Sequence, residues 1–332
     1  MVFDGRGAGG AMLLAMAMFA VPCAAQAGQQ APAESTIEAP GPDGALQGSE
    51  IDAGKGAPVA LIIPGSGPTD RDGNSPMGVR AGSLKLLAQG LAARGISSVR
   101  IDKRGMFGSK AAIADANKVT IGAYVDDVAS WVSRIRDRTG APCVWVIGHS
   151  EGALVALAAG QKLDHLCGLV SLEGAGRPIG EVMREQLRSN PAAAAIVPDA
   201  MKAIDSLEAG RTVDVSGMSP VVARMFNPAV QDYEIDLFHY DPARLAAKYD
   251  GPLLIVWGTR DIQVTKPDFD ALTAAQPGAG TLVIPDMNHV LKSVASDARA
   301  ANLATYANSD LPLADGLVDG VAAYIKAHPG ED

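Results

Sequence analysis

Residues 143–160, CVWVIGHSEGALVALAAG, carry a Gly-x-Ser-x-Gly pentapeptide between two apolar runs. The first run, CVWVIG, has the length and β-branched content of a buried strand, and the second, which continues to residue 163, is rich in helix-forming residues. A serine at such a strand-to-helix joint lies in a strained turn that exposes its hydroxyl at the carboxyl end of the strand. Gly148 and Gly152 let strand and helix approach closely there, so we predict Ser150 to be a nucleophile.

Short apolar runs and helical patterns alternate along the rest of the chain. The runs lie at 58–65, 96–102, 143–148, 167–174, 252–258 and 280–286, and the helical patterns at 83–95, 121–140, 151–163, 267–276 and 313–328. Continuous apolar strands separated by helices predict a mostly parallel central sheet with helices on both faces. Upstream, residues 35–54 combine short extended pieces with Gly, Pro and Asp turns, a pattern typical of an antiparallel edge hairpin.

Residues 177–250 break this alternation, because they contain helical patterns at 179–190, 198–210, 219–226 and 242–249 and no apolar strand. An insertion after the carboxyl end of a strand lies above the crevice where open α/β sheets bind ligands. We therefore predict a small helical cap. The predicted organisation is a signal peptide (1–27), a flexible linker (28–35), a first part of the core (36–176), the cap (177–250) and a second part of the core (251–332).

The N-terminal segment predicts export. Arg6 precedes the apolar run AMLLAMAMFAVPCAA, and Ala25-Gln26-Ala27 forms a small-x-small cleavage site before Gly28. The run is shorter than the roughly 20 residues that a membrane span needs. We expect cleavage of residues 1–27 and a periplasmic or secreted protein without a stable membrane anchor.

Composition argues against nucleic acid and anionic lipid as partners, and it leaves open whether two cysteines form a disulfide. The net charge of −9 and the scattered Lys and Arg residues do not form the basic surface that nucleic acid or anionic lipid requires. The predicted exported chain keeps Cys143 and Cys167, which begin two predicted strands. In an oxidising compartment they form a disulfide, or they remain two buried free thiols; the sequence leaves both alternatives and the oligomeric state open.

A serine nucleophile requires a base, and the five histidines can be ranked by position. His289, in VIPDMNHVL, directly follows the last apolar run and so reaches the same sheet edge as Ser150. The others lie inside the Ser150 turn (His149), before a strand (His165), in the cap (His239) and in the C-terminal tail (His328). We predict His289 to be the base.

The histidine requires a carboxylate that holds its tautomer and stabilises its cation. Asp261 lies in the turn GTRD directly after the run 252–258, and the chain order Ser, Asp, His is the one found with this strand-to-helix turn. Asp286 is the rival acid, but it is too close in sequence to His289 to lie behind the ring. The predicted triad is Ser150, Asp261 and His289.

Acyl transfer also requires N–H donors for the oxyanion. We predict the backbone N–H groups of Glu151, which follows the nucleophile, and of Ser66, in the loop IIPGSGPTDRDGN after the first parallel strand. The Glu151 side chain either binds a cationic substrate group or only interacts favourably with the positive end of the helix dipole at the helix N-terminus. In the same loop, Arg71 and Asp72 form an ion pair or a solvated turn. Arg104, in IDKRGMFGS after the next strand, is predicted to bridge loops rather than to contact the substrate.

Five motifs together resemble bacterial α/β-hydrolases grouped with serine esterases and prolyl-aminopeptidase-like hydrolases. They are PGSGPTDRDG, IDKRGMFGS, GHSEG, WGTRDIQV and MNHVLK, and the resemblance covers residues 36–328 apart from the cap. It implies an α/β-hydrolase fold, a Ser-Asp-His triad, an oxyanion hole and hydrolysis of carboxylic esters, often with short acyl chains, without a metal or cofactor. Pro64 departs from the wider pattern, in which a His-Gly pair usually begins the oxyanion loop.

The functional prediction is hydrolysis of a small-molecule ester through an acyl-enzyme. An aminopeptidase or amidase of the same fold is the alternative; it would need a carboxylate for a free amino group, from Glu151 or from the cap acids Glu181, Asp232 and Glu234. A non-catalytic binding protein is disfavoured by the intact Ser, Asp and His. Ser150 excludes the dehalogenases and epoxide hydrolases that use aspartate as the nucleophile.

Overall fold

The computed structural model describes residues 33–330. The predicted signal peptide, 1–27, and residues 28–32 of the predicted linker lie outside this range. Strand β1 begins at Glu34, so the last two residues of the predicted linker, 34 and 35, belong to the sheet. The physical reason is pairing: Glu34 lies opposite Ile51 in the hairpin, and its carboxylate forms an ion pair with Arg100 at 2.6 Å.

Within residues 33–330, eight strands form one sheet in the order β1-β2-β4-β3-β5-β6-β7-β8. Their bounds are β1 Glu34–Pro40, β2 Ala45–Ile51, β3 Val59–Ile63, β4 Ser97–Ile101, β5 Val144–His149, β6 Leu166–Leu172, β7 Leu253–Gly258 and β8 Gly280–Ile284. Strand β2 runs antiparallel to both of its neighbours, and β3 to β8 are mutually parallel. The predicted mostly parallel sheet with an antiparallel edge hairpin is confirmed.

Helices cover both faces of this sheet. Their bounds are α1 Ser83–Ala92, α2 Ile121–Thr139, α3 Glu151–Ala159, α4 Ile179–Ser189, α5 Val197–Glu208, α6 Pro220–Met225, α7 Gln231–Phe238, α8 Pro242–Ala247, α9 Lys266–Ala275, α10 Arg299–Ala304 and α11 Leu317–Ala327. None of these helices combines the length and apolar content needed to cross a bilayer.

Strand β3 shows why the central strands are apolar without interruption. Val59, Leu61 and Ile63 pack with α2 and α3 on one face, whereas Ala60 and Ile62 pack with α1 and α11 on the other. Because successive strand side chains point to opposite faces, a strand covered on both sides needs apolar residues at every position. Polar side chains that could act in catalysis therefore come from the loops at the carboxyl ends of the strands.

Helices α4 to α7, residues 179–238, follow β6, and we call this segment the cap. It has its own apolar cluster, which includes Ile204, Leu207, Val222 and Phe226. Helix α7 is not among the helices predicted from the sequence. Helix α8 lies within the predicted cap segment but packs against α3 and α9 of the main core, because Ala246 is buried in the larger apolar cluster.

Cys143 and Cys167 form a disulfide, which decides between the two alternatives left open by the sequence. Cys167 lies in β6 and Cys143 directly precedes β5, its neighbour in the sheet. Val144 pairs with Leu166 in the register of these strands, so the two cysteines face each other at the amino ends of the strands. The bond therefore lies at the end of β5 opposite to Ser150.

Candidate active site

Ser150 joins β5 to α3 in a left-handed backbone conformation, with φ 55° and ψ −119°. Its N–H donates to the carbonyl of Leu172, at the end of β6, with a 2.9 Å N···O distance. A Cβ atom on Gly148 would overlap the backbone of Gly152, and one on Gly152 would lie 2.5 Å from the carbonyl oxygen of Ile63. Both glycines are therefore required for the turn, and the strain holds Ser150 at the sheet edge.

His289 and Asp261 form a buried pair at the same edge. His289 Nδ1 donates to Asp261 Oδ2 at 2.7 Å, and the other carboxylate oxygen, Oδ1, accepts the backbone N–H groups of Gln263 at 2.7 Å and Val264 at 3.0 Å. With Nδ1 occupied in this way, Nε2 is the ring nitrogen left to accept a proton. His289 and Ser150 line one cavity, so the structure brings together all three residues of the predicted triad.

Electrostatics keep Asp261 ionised. Burial acts to raise the pKa of this carboxyl, but the charge of His289 and the hydrogen bond from its ring outweigh burial and hold the pKa below its usual value. The ionised carboxylate can therefore stabilise the imidazolium that forms when His289 takes a proton.

His149 supports His289 rather than competing with it. Its Nε2 donates to the backbone carbonyl of His289 at 2.8 Å, and the two ring centroids are 5.0 Å apart. Burial and repulsion from His289 lower the pKa of His149 to about 4, so this ring is neutral near pH 7. The rival acid Asp286 forms an ion pair with Arg260 at 3.1 Å and so does not hold His289.

Ser66 and Glu151, the predicted backbone donors, both line the cavity beside Ser150. A Cβ atom on Gly65 would lie 3.2 Å from Ser150 Cβ, so a glycine here lets the loop after β3 lie close against the nucleophile. The next residue, Ser66, therefore belongs to the part of the loop beside the nucleophile, and its N–H stays the predicted second donor for the oxyanion.

Lys103 links the two sides of this predicted oxyanion hole. Its Nζ donates to the carbonyl of Gly65 at 2.7 Å and to Glu151 Oε1 at 2.9 Å, with side-chain exposures of 3% for Lys103 and 7% for Glu151. The Glu151 carboxylate is thus neutralised within the protein, which removes it as a partner for a cationic substrate group. Sequence reasoning missed Lys103, although its position in IDKRGMFGS, directly after β4, was available as a signal.

Arg71 does not pair with Asp72, which corrects one alternative drawn from the sequence. It donates instead to both carboxylate oxygens of Asp102, with Nε to Oδ2 at 3.0 Å and the backbone N–H to Oδ1 at 2.9 Å. The reason is strand order: β4 lies beside β3, so Asp102 at the end of β4 reaches the loop that follows β3. Arg104 binds Asp127 of α2 at 2.7 Å, which is a structural contact.

The cavity has a volume of about 740 Å³, within the usual range for small-molecule sites. Its walls come from the cap and from the loops at the carboxyl ends of the strands. The apolar lining includes Met106, Phe107, Val182, Met183, Leu237 and Phe238. Such a site can receive an apolar substrate and exclude water around Ser150, where low polarity strengthens the available hydrogen bonds.

A curated protein is similar to this chain in sequence. Esterase EstD of Thermotoga maritima is 30% identical over 245 residues, which are 71% of this chain and 55% of that protein. The chain thus spans about half the length of this curated relative.

Solved structures share the fold at low identity. The Pyrococcus furiosus esterase Pf2001 has 15% identity and a TM-score of 0.55 over 90% of this chain and 94% of that chain. A thermophilic esterase from Thermogutta terrifontis has 18% identity and a TM-score of 0.54 over 89% of this chain and 99% of that chain.

Residues 60–304, well over half of the chain, match the family described as "Alpha/beta hydrolase family". The protein belongs to the alpha/beta hydrolase family.

Proposed function

We propose that this protein is a serine hydrolase that cleaves carboxylic esters through an acyl-enzyme. The observation that carries the proposal is the meeting of three groups at one cavity. Ser150 is held in its strained turn, His289 faces the same space, and Asp261 binds the far side of the histidine ring at 2.7 Å. This is the arrangement of nucleophile, base and orienting carboxylate that acyl transfer needs.

The proposed reaction has two halves. His289 Nε2 takes the hydroxyl proton of Ser150, and Oγ attacks the ester carbonyl carbon. The N–H groups of Ser66 and Glu151 hold the oxyanion, and when the tetrahedral intermediate collapses the alcohol leaves with the proton from His289. A water molecule then gives a proton to His289 as its oxygen attacks the carbonyl carbon of the acyl-enzyme. When this second intermediate collapses, His289 returns the proton to Ser150 Oγ and the acid leaves.

The proposed substrates are small esters with short acyl chains. The largely apolar cavity supports an ester with an apolar acyl part, and the short acyl chain is what the resemblance of the five sequence motifs implies. Three similar proteins carry the name esterase, which supports the same class.

A nitrophenyl ester series from acetate to decanoate tests the proposal. We expect turnover by the purified protein to be highest for the shortest esters and to fall with chain length, because cap residues form part of the cavity wall and should limit the space for a long acyl chain. Absence of turnover for every ester by a folded protein would contradict the proposed activity. Turnover that rises with chain length would leave hydrolysis in place and reject the short-acyl preference.

We also propose that the protein is exported after cleavage behind Ala27. The small-x-small pattern at Ala25 to Ala27 supports export, and so does the disulfide between Cys143 and Cys167, since such bonds persist in oxidising compartments. N-terminal sequencing of the protein recovered from the periplasm or the medium tests this, and a sequence that starts before residue 28 would reject the cleavage site.

One side chain favours the aminopeptidase or amidase alternative. Of the three cap acids considered from the sequence, Glu181 is exposed and Asp232 forms an ion pair with Lys118 at the surface. Glu234 lines the cavity, and its Oε2 is buried without a hydrogen-bond partner among residues 33–330. Burial raises the pKa of Glu234 to about 8, so this carboxyl is poised to ionise when a cationic amino group binds beside it.

Aminoacyl nitroanilides, assayed beside nitrophenyl acetate, separate the two candidates. If Glu234 binds a substrate amino group, Glu234→Gln lowers the ratio of anilide to acetate turnover about tenfold or more, because a charged hydrogen bond is lost. Asp232→Asn is the matched control, since that carboxylate is committed to Lys118. Turnover of neutral esters together with inactivity toward all anilides would reject the aminopeptidase alternative.

A further inference from the structure

A second buried carboxyl lies beside the triad and has no part in the reaction described above. Glu173 directly follows β6, between the strands that lead to Ser150 and to Asp261. Its side chain is inaccessible to solvent, with 0% relative exposure. Its backbone has φ 49°, a left-handed conformation that is unusual for a residue with a side chain.

The hydrogen bonds available to the two carboxyl groups differ sharply. Neither oxygen of Glu173 accepts a well-formed hydrogen bond from any residue of the range 33–330, although the carboxyl lies within hydrogen-bonding reach of Asp261. Asp261 accepts hydrogen bonds from His289, from Gln263 N–H and from Val264 N–H. One carboxyl is therefore surrounded by donors, and the other touches a carboxylate.

Two adjacent buried carboxylates would repel each other and would each lose hydration, so one proton between them is strongly favoured. Three well-formed donors around Asp261 stabilise a negative charge, whereas the one backbone N–H near the Glu173 carboxyl, that of Gly258, makes no well-formed hydrogen bond with it. The proton therefore resides on Glu173. Consistent with this, burial and the neighbouring charge of Asp261 raise the pKa of Glu173 well above its usual value.

No opposing charge alters this balance within residues 33–330. The ionisable groups that face Glu173 are Asp261, His289 through Asp261, and Tyr306. No described lysine or arginine contributes to the ionisation of Glu173. Burial is the first cause that raises the pKa of the Tyr306 phenol, and the charge of Asp261 adds to it.

We propose that Glu173 is a positioning residue of the triad, protonated in the folded protein and donating its carboxyl hydrogen to Asp261. The hydrogen bond adds a further donor to those that His289 and the backbone supply to the Asp261 carboxylate. The pair keeps a single negative charge to balance the imidazolium of His289. This role rests on the proposed triad, but the protonation of Glu173 can be measured without substrate.

Stability as a function of pH gives the first test. A carboxyl whose pKa is raised by folding contributes stability below its unfolded pKa of about 4.3, and this contribution is lost as pH rises toward the folded pKa. Relative to Glu173→Gln, the unfolding equilibrium constant of the unaltered protein should therefore increase about tenfold per pH unit from pH 5 upward. Urea denaturation at pH 5, 6, 7 and 8 measures this.

Glu181→Gln, at an exposed carboxyl of α4, is the matched control and should show no such trend. A constant difference in stability between Glu173→Gln and the unaltered protein over this pH range would mean that Glu173 is ionised, and would overturn the proposal. Because no substrate is used, this outcome is distinct from a failure of the ester assay.

Kinetics give the second test. The amide of Glu173→Gln can still donate a hydrogen bond to Asp261, whereas Glu173→Leu has a similar volume and no donor. We expect kcat for nitrophenyl acetate to be about fivefold to tenfold higher in the Gln variant than in the Leu variant, with similar KM values, as for the loss of one hydrogen bond. Equal kcat values would overturn the positioning role, and the pH titration decides the protonation state even if Glu173→Leu fails to fold.

Discussion

Ser150→Ala is expected to lower kcat for nitrophenyl acetate by about 10⁵-fold or more, since loss of the nucleophile removes the acyl-enzyme route entirely. The strained turn around Ser150 is built by Gly148 and Gly152, and alanine keeps the backbone and the Cβ atom. The protein should therefore fold and bind ester normally. Residual turnover would come from the oxyanion donors and from substrate binding alone.

The measurement combines turnover with covalent labelling by a fluorophosphonate. We expect one label per molecule of the unaltered protein, on the peptide that contains Ser150, and no label on the variant. Ser189→Ala, an exposed serine of α4, is the matched control and should behave as the unaltered protein does. A Ser150→Ala protein that keeps its turnover or its label would refute the proposed nucleophile.

Asp261→Asn is expected to lower kcat about 10⁴-fold, as in other enzymes where this change inverts the histidine tautomer. The structure fixes the orientation of the new amide. Asp261 Oδ1 accepts two backbone N–H groups, from Gln263 and Val264, so the amide oxygen of asparagine takes that position. The NH₂ group then faces His289 Nδ1, which must become an acceptor and place its proton on Nε2, where it cannot take one from Ser150.

Asp286→Asn is the control for this change, because Asp286 is the carboxylate that sequence reasoning considered and rejected. It forms an ion pair with Arg260 at the surface, so we expect kcat to remain within about twofold, as for most surface pairs. Steady-state kinetics of both variants on one ester make the comparison. A large loss of kcat in Asp286→Asn together with normal turnover in Asp261→Asn would show that Asp286, and not Asp261, is the acid of the triad.

The fold followed from local patterns in the sequence. Apolar runs without polar interruptions predict strands covered on both faces, as β3 shows with Val59 to Ile63 buried throughout. The Gly-x-Ser-x-Gly turn is also a local feature, because both of the glycines that it requires lie two residues from the serine. Asp261 and His289 could be selected because parallel strands end at one sheet edge, so chain position alone places loop residues together.

Helix α7 and the packing of α8 were not predictable in the same way. The sequence of α7, QDYEIDLF, mixes polar and apolar residues because its faces contact the cap, the cavity and the main core. Helix α8 has only six residues, too few for a clear periodicity. Tertiary contacts stabilise both helices, and the local sequence does not show which elements supply those contacts.

The sequence by itself determined the fold, the order of the strands and helices along the chain, and the identity of the residues proposed for the triad. Only the tertiary structure decided which charged groups meet: Lys103 with Glu151, Arg71 with Asp102, and Glu173 with Asp261. The physical reason is that strands that lie close together in the sheet end at one edge, even where a long stretch of chain, such as the cap between β6 and β7, separates them. Side chains that follow β4 and β6 therefore meet loops that are remote in sequence, and the burial at these contacts determines which groups carry a proton.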